Sequence, residues 1–440
     1  MHALDAALVL RLLLLGLSEL VLGAQTILSV LPLPLGIAPR REQTPESFEH
    51  RPRIRSGAVA RYRWTILALG TGAQTAYSAV FLGIPVLAPA LRAEYGLTLP
   101  EVGLAIAAAN LGSMVTLLPW GLLADRAGER VVLAVGLLGA TVALVGAAFA
   151  SSFGILIAVL IAAGASGASV NAASGRAVMG WFGFAERGLA LGIRQTAVPI
   201  GGVLVALGLP PVVEAWGLRG GLLALAAGCG ATAITGFLGL REAPTSRDEL
   251  EDLANPLRDG RVWRLSVGSG LLVAAQAAVL GFVILFLHGE RGLSTAAAGG
   301  VFALMQVLGA GFRIGAGRWS DHVRARIAPL RQLAFALAVA LLATAVLARA
   351  PLGLLLPALV AAGALSLSWN ALSFTAAAEL AGRARSGAAI GLQQTALALS
   401  YAAAAPVFAW VVDAGSWRLG FALAALMPLA GAILLRRLAL

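Results

Sequence analysis

The sequence predicts an all-α polytopic membrane protein. Twelve transmembrane helices form two six-helix repeats around a central cavity, preceded by an N-terminal extension. Three observations predict this. Hydrophobic residues make up 59% of the 440 and charged residues only 12%, with mean hydropathy +0.88, whereas soluble domains carry about 25% charge. From residue 64 onward there are twelve apolar runs, each long enough to cross a bilayer. Open sheet edges cannot exist in hydrocarbon, so runs of this length are helices. Finally, the chain repeats itself. Gly188, Gly192, Gln195 and Thr196 recur as Gly387, Gly391, Gln394 and Thr395 at an offset of 199. The same offset pairs Asn171 with Asn370, Glu214 with Asp413 and Arg219 with Arg418.

In chain order, residues 1–60 are an extension and polar linker outside the core. Residues 1–37 are apolar but lack the basic start of a secretory signal. An extra membrane helix, an interfacial helix or an upstream start codon would each account for them, and the last is favoured. Residues 39–63 hold seven arginines and are too hydrophilic for hydrocarbon. The first bundle, 61–240, contains runs at 64–91, 99–124, 131–150, 154–182, 187–208 and 219–240. An interdomain linker rich in Asp, Glu and Arg covers 241–264. The second bundle, 265–440, contains runs at 265–288, 295–319, 330–349, 352–381, 385–410 and 417–436.

The net charge of +11 is carried by arginine alone, because the chain has no lysine. These arginines are scattered over short loops, where they set topology and meet anionic headgroups, so no nucleic-acid partner is expected. Twenty-three lie in the segments 40–63, 125–130, 183–187, 241–264, 318–331, 382–385 and 436–437. The opposite set of loops holds only Arg92, Arg219, Arg291, Arg349 and Arg418. The positive-inside rule then places both ends of the twelve-span core in the cytoplasm. The single cysteine, Cys229, excludes an internal disulfide.

Between runs two and three lies Gly121-Leu-Leu-Ala-Asp125-Arg126-Ala-Gly128-Glu-Arg130, with four charges in ten residues. A weakened copy, Gly317-Arg-Trp-Ser-Asp321, follows 196 residues after Asp125. The first segment resembles the signature loop between helices 2 and 3 of the major facilitator superfamily, and the resemblance extends over about residues 61–437. It implies a secondary transporter in the cytoplasmic membrane of a bacterium, moving a small solute by alternating access. Gly121, Asp125, Arg126, Gly128, Arg130, Gly317 and Asp321 would form the gating motif, with Asp125 latching one conformation. A merely solvated turn is the plainer reading of the same residues.

Facilitator cavities are lined mainly by spans 1, 4, 7 and 10, with help from 2, 5, 8 and 11. On those spans the polar candidates for substrate contact are Gln74, Tyr77, Asn171, Arg194, Gln195, Gln276, Arg313, Asn370 and Gln394. Each amide might equally be interhelical glue, bonding a neighbouring backbone. Arg194 is the sharpest candidate, because a mid-span charge costs roughly 2.5–3.5 kcal/mol. Its repeat mate is Gln393, so pseudo-symmetry does not require a cation there. A guanidinium matches carboxylate or phosphate, so a small organic or inorganic anion is the expected substrate. The competing role is a gate ion pair with Glu186 or Asp125. Arg176 is expected to snorkel or pair at the gate.

No carboxylate lies clearly mid-membrane, so coupling to protons, coupling to a counter-solute and uniport all stay open. Val198-Pro199-Ile-Gly201-Gly202 invites comparison with the motif of drug antiporters, the alternative reading. The arginine those proteins carry in span 4 has no counterpart at 159–163. His2, His50, His288 and His322 are dispersed, so neither an enzyme nor a metal or other cofactor is expected. A non-transporting receptor would need a signalling domain for which the chain has no room. A monomer is the expected state.

Overall fold

The computed structural model describes residues 57–182, 186–241, 259–381 and 386–438. The extension up to residue 56 and the linker residues 242–258 lie outside the described residues. The described chain is helical almost throughout. Span 1 is Gly57–Tyr95, span 2 Leu99–Ala127 and span 3 Glu129–Ala148. Span 4 is made of two pieces, Phe153–Gly167 and Ser169–Trp181. Arg187–Gln195 starts span 5, and Ala197–Gly239 completes spans 5 and 6. Span 7 is Gly260–Leu285, span 8 Thr295–His322 and span 9 Ile327–Leu347. Span 10 again has two pieces, Leu352–Ser368 and Asn370–Ala381, followed by span 11 (Ser386–Ala414) and span 12 (Trp417–Leu435).

The turn between spans 5 and 6 is tighter than the loop expected at 209–218. Ala197–Gly239 is 43 residues long, about 65 Å at helical rise, which is enough for two crossings. The chain turns at Gly217, whose φ of 64° and ψ of −170° are cheap only for glycine. Local signals mark other ends. Ser152, Ser294 and Ser416 each accept a backbone N–H from the first turn of the helix that follows. Thr98 and Glu101 close a reciprocal capping box at the start of span 2.

Packing reproduces the repeat. In the first half span 3 packs on span 6 and span 2 on span 4; in the second, span 9 packs on span 12 and span 8 on span 10. Glycines permit the closest approaches, as at Gly112, where a Cβ would collide with the Ile161 carbonyl. The outward faces carry large apolar side chains such as Val142, Leu238 and Ile433, each more than 70% exposed. Such a surface fits lipid and would be unstable in water.

The two halves meet through span 2 against span 11 and span 5 against span 8. Those contacts sit at the ends far from the Asp125 hairpin. A Cβ on Gly103 would lie 2.8 Å from Pro406 Cα, and one on Gly299 would collide with the Ala206 carbonyl. On the hairpin side, Gly121, Gly192, Gly317 and Gly391 of the same four spans have no neighbour within 4 Å of such an atom. The cavity between the halves is therefore closed at one end and open toward the hairpins.

Candidate functional site

Discontinuities in the helices bring the polar side chains together. Span 4 is interrupted at Ala168 and span 10 at Trp369, nearly equivalent places in the two repeats. Asn171 and Asn370 follow these breaks. In span 5, Pro199 lacks the N–H that would bond the Gln195 carbonyl, and the helix is interrupted at Thr196, beside Arg194.

All nine polar candidates line one cavity of about 330 Å³: Gln74, Tyr77, Asn171, Arg194 and Gln195 from the first half, Gln276, Arg313, Asn370 and Gln394 from the second. Its volume is at the low end for ligand clefts. Asn110, Ser113 and Tyr401 line it too, with Phe81 and Phe374 supplying apolar surface.

Arg194 is only 7% exposed. Its Nε donates to Ser174 Oγ at 2.9 Å and its Nη2 to Gln74 Oε1 at 2.7 Å. Both partners are neutral, in place of the carboxylate that a gate ion pair would supply. Three of the five guanidinium N–H donors are left over from these two bonds. The second half repeats the arrangement without a charge. Gln393 donates through Nε2 to Ser373 Oγ at 2.5 Å, and Ser373 in turn bonds Ser269 Oγ at 2.5 Å. Ser373 is the offset-199 mate of Ser174, so Ser269 takes the place of Gln74. The sequence pairing of Gln74 with Gln276 missed this, and so did any reading that passed over serine. The repeat offset was the signal that leads to Ser174.

Arg313 reaches the cavity from the other half, its Nε donating to the Leu367 carbonyl at 3.0 Å beside the break in span 10. Gln276 Oε1 and Asn370 Oδ1 are buried with no hydrogen-bond partner among the described residues. Tyr77 contributes mainly its ring, because its hydroxyl is bonded to Ser113 Oγ and donates to the Gly164 carbonyl at 3.1 Å. No Asp, Glu or His is among the described residues lining the cavity.

The hairpins flank the open end. Gly128 has φ 81° and ends span 2 while starting span 3. Its mate 196 residues on is Arg324, which adopts φ 51° without glycine's freedom. Asp125 lies in the last turn of span 2, but its side chain falls outside the described residues. Arg130 stacks 4.4 Å from the centre of the Phe237 ring, and Arg176 pairs with Glu129 at 3.3 Å. In the second hairpin, Arg326 bridges Asp321 at 2.5 Å and Glu379 at 3.0 Å, tying span 8 to span 10.

Comparison with known proteins agrees with this architecture. The family model for the major facilitator superfamily matches residues 67–405. An uncharacterized MFS-type transporter of Mycobacterium tuberculosis is 35% identical over 373 residues, covering 84% of this chain and 83% of the relative. A probable sulfoacetate transporter of Cupriavidus necator is 34% identical over 132 residues, 30% of each chain. Among solved structures, a bacterial homologue of the human lysosomal transporter Spinster, inward-facing and occupied, superposes with TM-score 0.73 at 16% identity. That match covers 85% of this chain and 96% of the homologue. A D-xylose–proton symporter gives 0.72 at 17%, covering 86% and 98%. The fold of two six-helix repeats, the central cavity between them and these matches together show that this chain belongs to the major facilitator superfamily.

Proposed function

We propose that the chain moves a small organic or inorganic anion across the bacterial cytoplasmic membrane by alternating access. The observation that carries this reading is the pair Arg194 and Arg313, which line one small cavity with no carboxylate among its described lining residues. Two guanidinium forks facing a low-dielectric space favour carboxylate, sulfonate or phosphate groups. The partial similarity to a probable sulfoacetate transporter is in keeping with this. Hydrophobic cations, the usual cargo of a drug exporter, would meet repulsion from both arginines. A thermal-shift screen of purified protein tests the class. Small anions such as sulfoacetate and sulfate should raise the unfolding midpoint, while tetraphenylphosphonium should not; the opposite pattern would favour drug export.

Arginine asymmetry supports an orientation with both core ends, and hence the open end of the cavity, in the cytoplasm. In intact cells, a Cys placed at Ala350 should react with an impermeant maleimide and one at Ser246 should not. Labelling at Ser246 from outside would reverse the assignment.

The Asp125 hairpin is read as the latch of one gate state. A carboxylate at a helix end surrounded by arginines gains charge–dipole energy only while those ends are assembled. Asp125→Asn should therefore lower the transport rate several-fold at an unchanged yield of folded protein. Wild-type kinetics in that variant would argue for a plain solvated turn.

A further inference from the structure

We infer that this carrier is an anion exchanger whose empty form does not cross back. The inference rests on the anion-binding reading of the cavity and adds the mode of coupling to it.

Its starting point is the comparison between the two repeats. At Gln393 the fold satisfies the equivalent position with an amide on Ser373, buried and neutral. Arg194 makes the matching bond to Ser174, so packing does not call for its charge. Arg313 adds a second guanidinium from the other half, with only its Nε bonded, to the Leu367 carbonyl. Among the described residues lining the cavity there is no Asp, Glu or His to neutralise either one or to carry a proton. Arginine itself stays protonated.

Alternating access requires the open end of the cavity to close before the other end opens. Closing the empty carrier encloses two cations with no counter-ion, and burying an unpaired charge is strongly unfavourable. An anion between the two forks removes that penalty. Because Arg194 belongs to one half and Arg313 to the other, the same anion also draws the halves together. The loaded carrier therefore closes readily and the empty one does not. One anion enters for each that leaves, no proton moves, and like-for-like exchange transfers no net charge.

Two measurements on the reconstituted full chain test this, with sulfoacetate and sulfate as probes. Uptake of labelled probe into vesicles preloaded with the same unlabelled anion should exceed uptake into unloaded vesicles by at least about tenfold. That ratio corresponds to about 1.4 kcal/mol of extra barrier for the empty form. Equal uptake in both would overturn the exchange mode. The second measurement needs no substrate. Spin labels at Ala127 and Val323, in a Cys229→Ala background, report the separation of the two hairpins. Without anion the wild type should show only the long distance, and the Arg194→Gln, Arg313→Gln double variant should gain a short-distance population at least about tenfold larger. If the double variant does not fold, each single variant should show a smaller gain of the same sign. A short-distance population as large in anion-free wild type as in the variants would overturn the inference. Wild type that neither binds nor takes up either probe would count against the anion reading itself, whereas binding with equal uptake would count only against exchange.

Discussion

Arg194→Gln is expected to raise the half-saturation concentration for an anionic substrate roughly ten- to hundredfold, with little change in maximal rate. The wild-type guanidinium is already held by Ser174 and Gln74, so it is oriented before substrate arrives. Its remaining donors would make charge-assisted bonds, each contributing about 1.5–3 kcal/mol, and about 1.4 kcal/mol corresponds to tenfold in affinity. Folding should tolerate glutamine, because Gln393 already occupies the equivalent position with an equivalent serine partner. Arg194→Lys should recover only part of the affinity, since a point charge cannot reproduce the fork and would release either Ser174 or Gln74. Binding measured on purified variants decides the matter. Unchanged affinity with a lower maximal rate would reassign Arg194 to gating.

Gly299→Val is expected to abolish most transport while leaving the protein folded, by preventing closure of the end of the cavity away from the hairpins. A Cβ at Gly299 would collide with the Ala206 carbonyl, and Pro210 Cγ lies 3.4 Å from that same point. Overpacking of this kind costs roughly 1–3 kcal/mol, and here it falls on one conformation only. The seam has little stability to spare. Gln306 is fully buried against Gly202, and both polar atoms of its amide lack partners among the described residues. A buried amide without partners costs about 1–3 kcal/mol on its own. Two such terms bring the closed form close to its alternative, so a modest wedge should shift the population by a factor of ten or more. Spin-label distances across spans 5 and 8 at that end should lengthen in the variant. An unaltered distribution with normal transport would show that the seam does not open during the cycle.

Much of this protein is legible in one dimension. Span count follows from apolar length, because every backbone group in hydrocarbon must be bonded within its own helix. The two-fold organisation follows from the constant offset linking Asn171 to Asn370 and Gln195 to Gln394. Even the residues that converge on the cavity could be nominated, since polar side chains are costly in a span and each one needs a reason to be there.

What the sequence could not determine depends on which side chains share a neighbour across three helices. Arg194 could have met a carboxylate at the gate; tertiary packing instead gives it Ser174 and Gln74, neutral groups from spans 4 and 1. Tyr77 was an equal candidate by sequence, yet its hydroxyl is occupied by Ser113 and Gly164, so only the ring is offered. Serines 174, 269 and 373 gave no signal, because an isolated hydroxyl in a span ordinarily bonds its own helix backbone. Composition and periodicity report what a residue costs to bury, a local property of the chain. Which partner offsets that cost depends on the crossing of spans 1, 4 and 5, and only the folded bundle decides it.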